Sequence, residues 1–165
     1  QGISIPNDMT AGELYGELSA LGAEVLERTL QKLEAGTLVR TPQREEDATY
    51  FPMFKKGFGE IDFEMTCEKI YDFVRGTNPA PGAYMMYGEE KIKVFRVSIQ
   101  NGAMGKPCGS VLFANDKQGL GISAKDGIIV IEEMQRQGAR RMAAKDSLRG
   151  KQVEEGYIFT NKHGE

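Results

Sequence analysis

Phe73 to Tyr84 reads FVRGTNPAPGAY, and within this stretch one kind of structure ends and another begins. Upstream, Cys67, Ile70, Tyr71 and Val74 recur at helical spacing and Thr66 is suited to cap them, so a short amphipathic helix should run into Arg75. Gly76 is placed to close that helix in a left-handed conformation, and Pro79 and Pro81 cannot extend it. After Gly82 the pattern turns to short apolar strands. Arg75, Gly76, Asn78, Pro79, Pro81 and Gly82 therefore read as a structural hinge, a rigid helix-to-strand connector. Arg75 and Asn78 hold no catalytic geometry by themselves.

Downstream, strands are expected at Ala83–Tyr87, Ile92–Ile99, Ser110–Ala114, Leu120–Ala124 and Ile128–Met134. Gly88, Gly119 and the pair Asp126-Gly127 mark tight turns between them and should supply positive φ. Short strands of this number suggest a small closed barrel of the OB type, because closure removes exposed edges. A helix over roughly Ala143–Leu148 and a last strand at Tyr157–Phe159 would cover or extend it. The fold class is thus α+β.

Upstream of the hinge, Ile3 and Ile5 look like the end of a strand closed by Pro6. Thr10 and Glu13 form a capping box ahead of a stripe of Leu14, Leu18, Leu21, Val25, Thr29 and Leu33. Gly22 interrupts the stripe, which predicts two helices, 11–21 and 23–35, closed by Gly36. The stripe needs a partner, either a segment outside this chain or the C-terminal domain. From Thr37 to Gly59 periodicity is lost, and Pro42 with Glu45, Glu46 and Asp47 marks a linker. Tyr50, Phe51, Met53 and Phe54 should make part of it lie down on a domain surface. Lys55 and Lys56 beside them are either linker charges or contacts for a polyanion.

The 165 residues are 40% apolar and 27% charged, an ordinary composition for a soluble protein. No apolar run has membrane-spanning length and no signal peptide is evident, so no membrane partner and a cytoplasmic location are expected. Cys67 and Cys108 lack metal or disulfide spacing and the single histidine, His163, lies in the tail, so no metal site is expected. No P-loop, GxGxxG or nucleophile-base pair is present, and Asp62 reads as a polar lead into the helix. No catalytic residue is assigned. By residue chemistry alone the chain is a non-catalytic binding module.

The net charge of −3 is unevenly spread. Residues 1–59 carry 6 Lys/Arg against 9 Asp/Glu, whereas residues 91–151 carry 12 against 5, a local excess of +7. Lys91 and Lys93 should share one side of a strand with Arg96 on the other. Arg141, Lys145 and Arg149, spaced by four, should stack on one helical face and repel one another by a few tenths of a kcal/mol per pair. This is either a solvated face or the footprint of a polyanion.

Several segments together resemble the C-terminal part of the methionyl-tRNA formyltransferase family. They are ATYFPMFKKGFGEIDF, VRGTNPAPGAY, KIKVFRVSI, GKPCGSVL and RMAAKDSLRGKQVEEG, with ISIPNDMTAGELYGELSALGAEVLERTLQKLEAG resembling the tail of its catalytic domain. The resemblance implies residues 1–36 as the helical remnant of an α/β formyltransferase domain, 37–60 as a linker, and 61–165 as an OB-like tRNA-binding domain. It implies transfer of formyl from 10-formyltetrahydrofolate to the amino group of Met on initiator tRNA. The family's Asn, His and Asp set and its SLLP motif are not in this chain, which would begin just after the active site and lack catalysis and cofactor alone. Its partners would be initiator methionyl-tRNA and an N-terminal catalytic domain in cis, in a monomer. Lys55, Lys56, Lys91, Lys93, Arg140, Arg141 and Lys145 are the candidate tRNA contacts. Ala80 and Phe63 stand where the family carries tryptophan. The barrel of formyltetrahydrofolate dehydrogenase or a sugar formyltransferase, a stand-alone polyanion-binding module, or self-association through the stripe are the alternatives.

Overall fold

The structure is a computed structural model, and it describes residues 2–55, 57–102 and 105–160. The chain divides into two compact units, Gln1–Lys56 and Gly57–Glu165. The break falls inside the stretch where periodicity is lost.

The first unit is built on one helix, α1 (Ala11–Glu34). The capping box forms as expected: the Thr10 hydroxyl accepts from the Glu13 amide and the Glu13 carboxylate accepts from the Thr10 amide. Gly22 does not divide the helix. A mid-helix glycine costs about 1 kcal/mol relative to alanine but keeps its backbone hydrogen bond, and the flanking helix formers offset that cost. No residue of α1 is buried. A single 3₁₀ turn, Glu45–Asp47, follows. Within this unit Tyr50, Phe51 and Met53 are all at least 86% exposed.

The second unit is a six-stranded antiparallel sheet with two helices. Its elements are α2 (Cys67–Thr77), β1 (Ala83–Tyr87), β2 (Glu90–Gln100), β3 (Val111–Asn115), β4 (Gly119–Ser123), β5 (Ile128–Gln135), β6 (Met142–Ala143) and α3 (Ala144–Gly150). The strand order is β1-β2-β5-β4-β3. Along one edge of β5, β4 pairs with Ile128–Ile131 and β6 continues the pairing at Glu133 and Met134. The core is apolar: Ile92, Leu120, Ile122, Ile129 and Met134 are fully buried, and α2 adds Cys67, Ile70 and Val74.

The sheet does not close into a barrel. Its two edges are instead covered by irregular chain. On β1, the Tyr84 amide donates to the Gly59 carbonyl and the Ile61 amide to the Tyr84 carbonyl. On β3, the Val111 amide donates to Tyr157 and the Gly156 amide to Val111, while the Phe159 amide donates to Gly109. This C-terminal strap also reaches the β1–β2 turn: the Tyr157 hydroxyl accepts from the Gly88 amide at 2.9 Å and its ring lies 4.6 Å from that of Tyr87. Side chains thus bridge the gap that a barrel would close with backbone hydrogen bonds. Tyr157–Phe159 gives one isolated bridge, Ser110 to Ile158, rather than a strand.

The hinge differs from expectation in one respect. Gly76 lies inside α2, which runs on to Thr77 and is capped at Asn78. The prolines stop the helix, and the positive φ falls on Gly82, at 84°. The buried Asn78 amide donates to the Phe95 carbonyl of β2 at 2.9 Å, which fixes the connector to the sheet. At the other end of α2, Thr66 accepts from Lys69, and Asp126 in the β4–β5 turn accepts from the Cys67 amide at 2.7 Å. Gly127 has no positive φ among the glycines that do. Its need for no side chain comes instead from the Gln100 carbonyl and Cys67 sulfur close by.

The Asp126 carboxyl is held below its ordinary value, first by the Cys67 amide. A depressed carboxylate contributes stability that is present above its unfolded pKa and lost as pH falls through the folded value. Acid unfolding of Asp126→Asn, which keeps an acceptor but cannot titrate, is expected to have a shallower limb below about pH 4 than the parent. Superimposable acid limbs would show that this cap is energetically silent.

Candidate nucleic-acid interface

The core-facing residues of β2 are Ile92, Val94 and Val97, so strict alternation holds at first and then breaks. The register shifts against β5 between Val94 and Val97. Before that break, Lys91 and Lys93 share the exposed side as expected. After it, Arg96 is exposed as well and pairs with Glu132 at 3.2 Å, rather than pointing to the opposite, core side.

Lys91 is held by an aromatic ring. Its ammonium lies 3.6 Å from the centroid of Tyr84, an arrangement worth about 0.5–1 kcal/mol at an exposed site. Lys93 is paired in register with Gln135 of β5. Beyond Gln135 the chain turns through Gly138, at φ 76°, with the Ala139 amide donating to the Arg136 carbonyl. Lys91, Lys93, Gln135, Arg136, Gln137 and Gly138 line a cleft of about 330 Å³. Arg140 follows on the same turn and is exposed.

Arg141, Lys145 and Arg149 do not stack on one helix. Arg141 precedes β6, and α3 begins only at Ala144, because β6 takes up the intervening residues to pair with β5. Arg141 is also occupied: it pairs with Glu133 and lies 4.2 Å above the Phe95 ring. The hydrogen bond between them pushes the Arg141 guanidinium up and the Glu133 carboxyl down. Arg149 is paired with Asp146 at 3.2 Å and approaches Asp116 at 3.7 Å. Lys145 has no ion pair among the described residues and, with Ser98, Gln100, Gln118 and Glu132, lines a groove of about 520 Å³.

Of the expected contacts, then, Lys91 and Lys93 converge on one cleft, Lys145 lies at a separate groove, and Arg141 is consumed by structure. Lys55 is exposed in the first unit, and Lys56 and His163 lie outside the described residues. Arg136 was not anticipated. An arginine just past an apolar strand carries no sequence signal, and its carboxylate partner, Glu90, is 46 positions away.

No group of three or more His, Cys, Asp or Glu among the described residues is arranged to hold a metal. Burial pushes the Cys67 thiol up to about 11, and burial followed by Glu64 raises that of Cys108, so neither is poised as a thiolate. Among the described residues no helix is long and apolar enough to cross a membrane. The exposed ammoniums on the cleft have the chemistry that suits an anion.

A protein-family model described as "Formyl transferase, C-terminal domain" matches residues 53–152. The chain belongs to that family. Methionyl-tRNA formyltransferases of Ruminiclostridium cellulolyticum and Acetivibrio thermocellus are 39% and 40% identical to it over 93% and 95% of its length. The chain spans about half the length of these curated relatives, 50% of each. A crystal structure of a HypX variant from Aquifex aeolicus superposes with a TM-score of 0.64 and 20% identity, covering 97% of this chain and 31% of that one. That likeness shows the fold: this formyl transferase C-terminal domain is an open sheet with edge-covering segments.

Proposed function

We propose that this chain is the C-terminal portion of a methionyl-tRNA formyltransferase and that its task is to hold initiator tRNA. The observation that carries the reading is the similarity to enzymes of that name along almost the whole chain. Residues 1–36 would then be the tail of the catalytic domain and 37–60 the linker. Formyl transfer from 10-formyltetrahydrofolate would take place on the other half of the enzyme, in the cytoplasm.

The physical basis is electrostatic. Lys91, Lys93 and Lys145 are exposed cations without carboxylate partners among the described residues, on a unit whose residues 91–151 carry the chain's positive excess. Phosphate contacts of this kind position a polynucleotide without reading its sequence, so the acceptor end would be set toward the catalytic half by backbone geometry. Arg140 and, in the first unit, Lys55 remain candidates.

Fluorescence anisotropy of labelled initiator tRNA at several salt concentrations tests this. With about three phosphates contacted, log affinity is expected to fall with log salt at a slope of about −2 to −3. Lys145→Glu is expected to flatten the slope by about 1, whereas Arg141→Ala should act mainly on stability because its charge is already matched by Glu133. Affinity independent of salt would refute the electrostatic reading. Formylation of a sugar or another acceptor, and not methionyl-tRNA, by the whole enzyme would refute the assignment of substrate.

A further inference from the structure

The cleft beside Lys91 and Lys93 differs from the rest of the basic surface in having a fixed charge at its base. Arg136 is only 6% exposed. Its Nη1 donates to Glu90 Oε2 at 2.9 Å and its Nη2 to the Lys151 carbonyl at 3.1 Å, while Nε is buried with no acceptor. Lys151 Nζ donates to the same Glu90 oxygen at 2.6 Å. One carboxylate therefore serves two cations, and Lys91 and Lys93 add two more charges on the cleft wall with no carboxylate partner among the described residues. A buried guanidinium whose counter-ion is shared leaves positive potential at the cleft that a second anion would relieve.

We propose that this cleft is a seat for one phosphate group, with the Lys91 and Lys93 ammoniums as its direct donors and Arg136 as the fixed charge behind them. Lys91 is pre-positioned by the Tyr84 ring, which lowers the entropy lost when it engages an anion. The Gln137 side-chain amide lines the same cleft and adds a further donor, whereas Gln135 Nε2 already donates to the Ala139 carbonyl at 2.8 Å and so holds the turn that shapes the cleft. The volume, about 330 Å³, accommodates a phosphate together with an attached sugar. The Lys145 groove lacks these features: Glu132 lines it, and neighbouring Arg149 is already matched by Asp146. The inference deepens the tRNA-holding reading, and rests on it only for the source of the phosphate.

The test is amide NMR of the full chain titrated with inorganic phosphate against sodium chloride at matched ionic strength, and separately with a short RNA duplex. Saturable shifts confined to residues 90–93 and 135–138 are expected. They should weaken about tenfold or more in Lys91→Gln/Lys93→Gln and persist in Lys145→Gln. Localised shifts with phosphate alone identify a free-anion seat. The same shifts with RNA only, lost in the double variant, identify a seat for a polynucleotide phosphate. Shifts spread evenly over the basic surface, or none at the cleft with either probe, overturn the proposal. Salt-sensitive initiator tRNA binding that survives the double variant would overturn the seat while leaving the tRNA-holding reading standing.

Discussion

Gly109→Ala is expected to destabilise the sheet unit by about 3 kcal/mol, lowering its melting temperature by roughly 10–20 °C. Two causes add. Gly109 has φ 83°, a conformation that costs an alanine about 1–2 kcal/mol. A Cβ there would also collide with the Phe159 carbonyl, which is backbone and cannot rotate away. The strap would have to shift, weakening its hydrogen bonds to Gly109 and Val111 and leaving the β3 edge open. Gly105→Ala separates the two causes, because Gly105 has φ 87° but nothing near its Cβ position. Equal melting temperatures for the two variants would show that strap contact contributes nothing beyond the φ penalty.

Glu90→Gln should be of similar size and more informative. The exchange keeps an acceptor but removes the carboxylate that, among the described residues, faces a guanidinium with 6% exposure, and breaking a buried pair from one side costs about 3 kcal/mol or more. Stability and anion binding should move in opposite directions: urea unfolding shifts to lower concentration while phosphate affinity at the neighbouring cleft rises. A variant that loses both together would mean that Glu90 organises the cleft rather than opposing its charge.

Much of the sheet was legible because its turns are written locally. Gly88 and Gly119 have the positive φ that hairpins need, and all five expected strands form within a residue or two of their limits. Closure was not legible. Whether strands meet around a barrel depends on twist and on long-range pairing, and here the strap reaches across with side chains instead. Local signals also misled where tertiary context outweighed them: Gly22 and Gly76 both sit within helices. A four-residue spacing suggested a cationic helix face at Arg141, Lys145 and Arg149, but the short β6 pairing with β5 claims residues that the spacing assigns to a helix. Lys91 and Lys93 could be found because strand alternation puts them on one side. Arg136 could not, since its meaning comes from Glu90 and from burial, neither of which leaves a local pattern.

The strap also bears on how the chain is made. β3 and β4 are joined by a tight turn and can pair as soon as both have been synthesised, yet the far edge of β3 finds its partners only when Gly156–Phe159 arrive. The contact from Tyr157 to Gly88 spans 69 positions. On a ribosome the sheet would therefore wait with one strand edge unpaired until nearly all of this unit had emerged, and contacts of such long sequence separation form slowly. During that interval the nascent chain presents a template for pairing with its neighbours on the same message, so the last strap residues set when the domain becomes safe from aggregation as well as how stable it is.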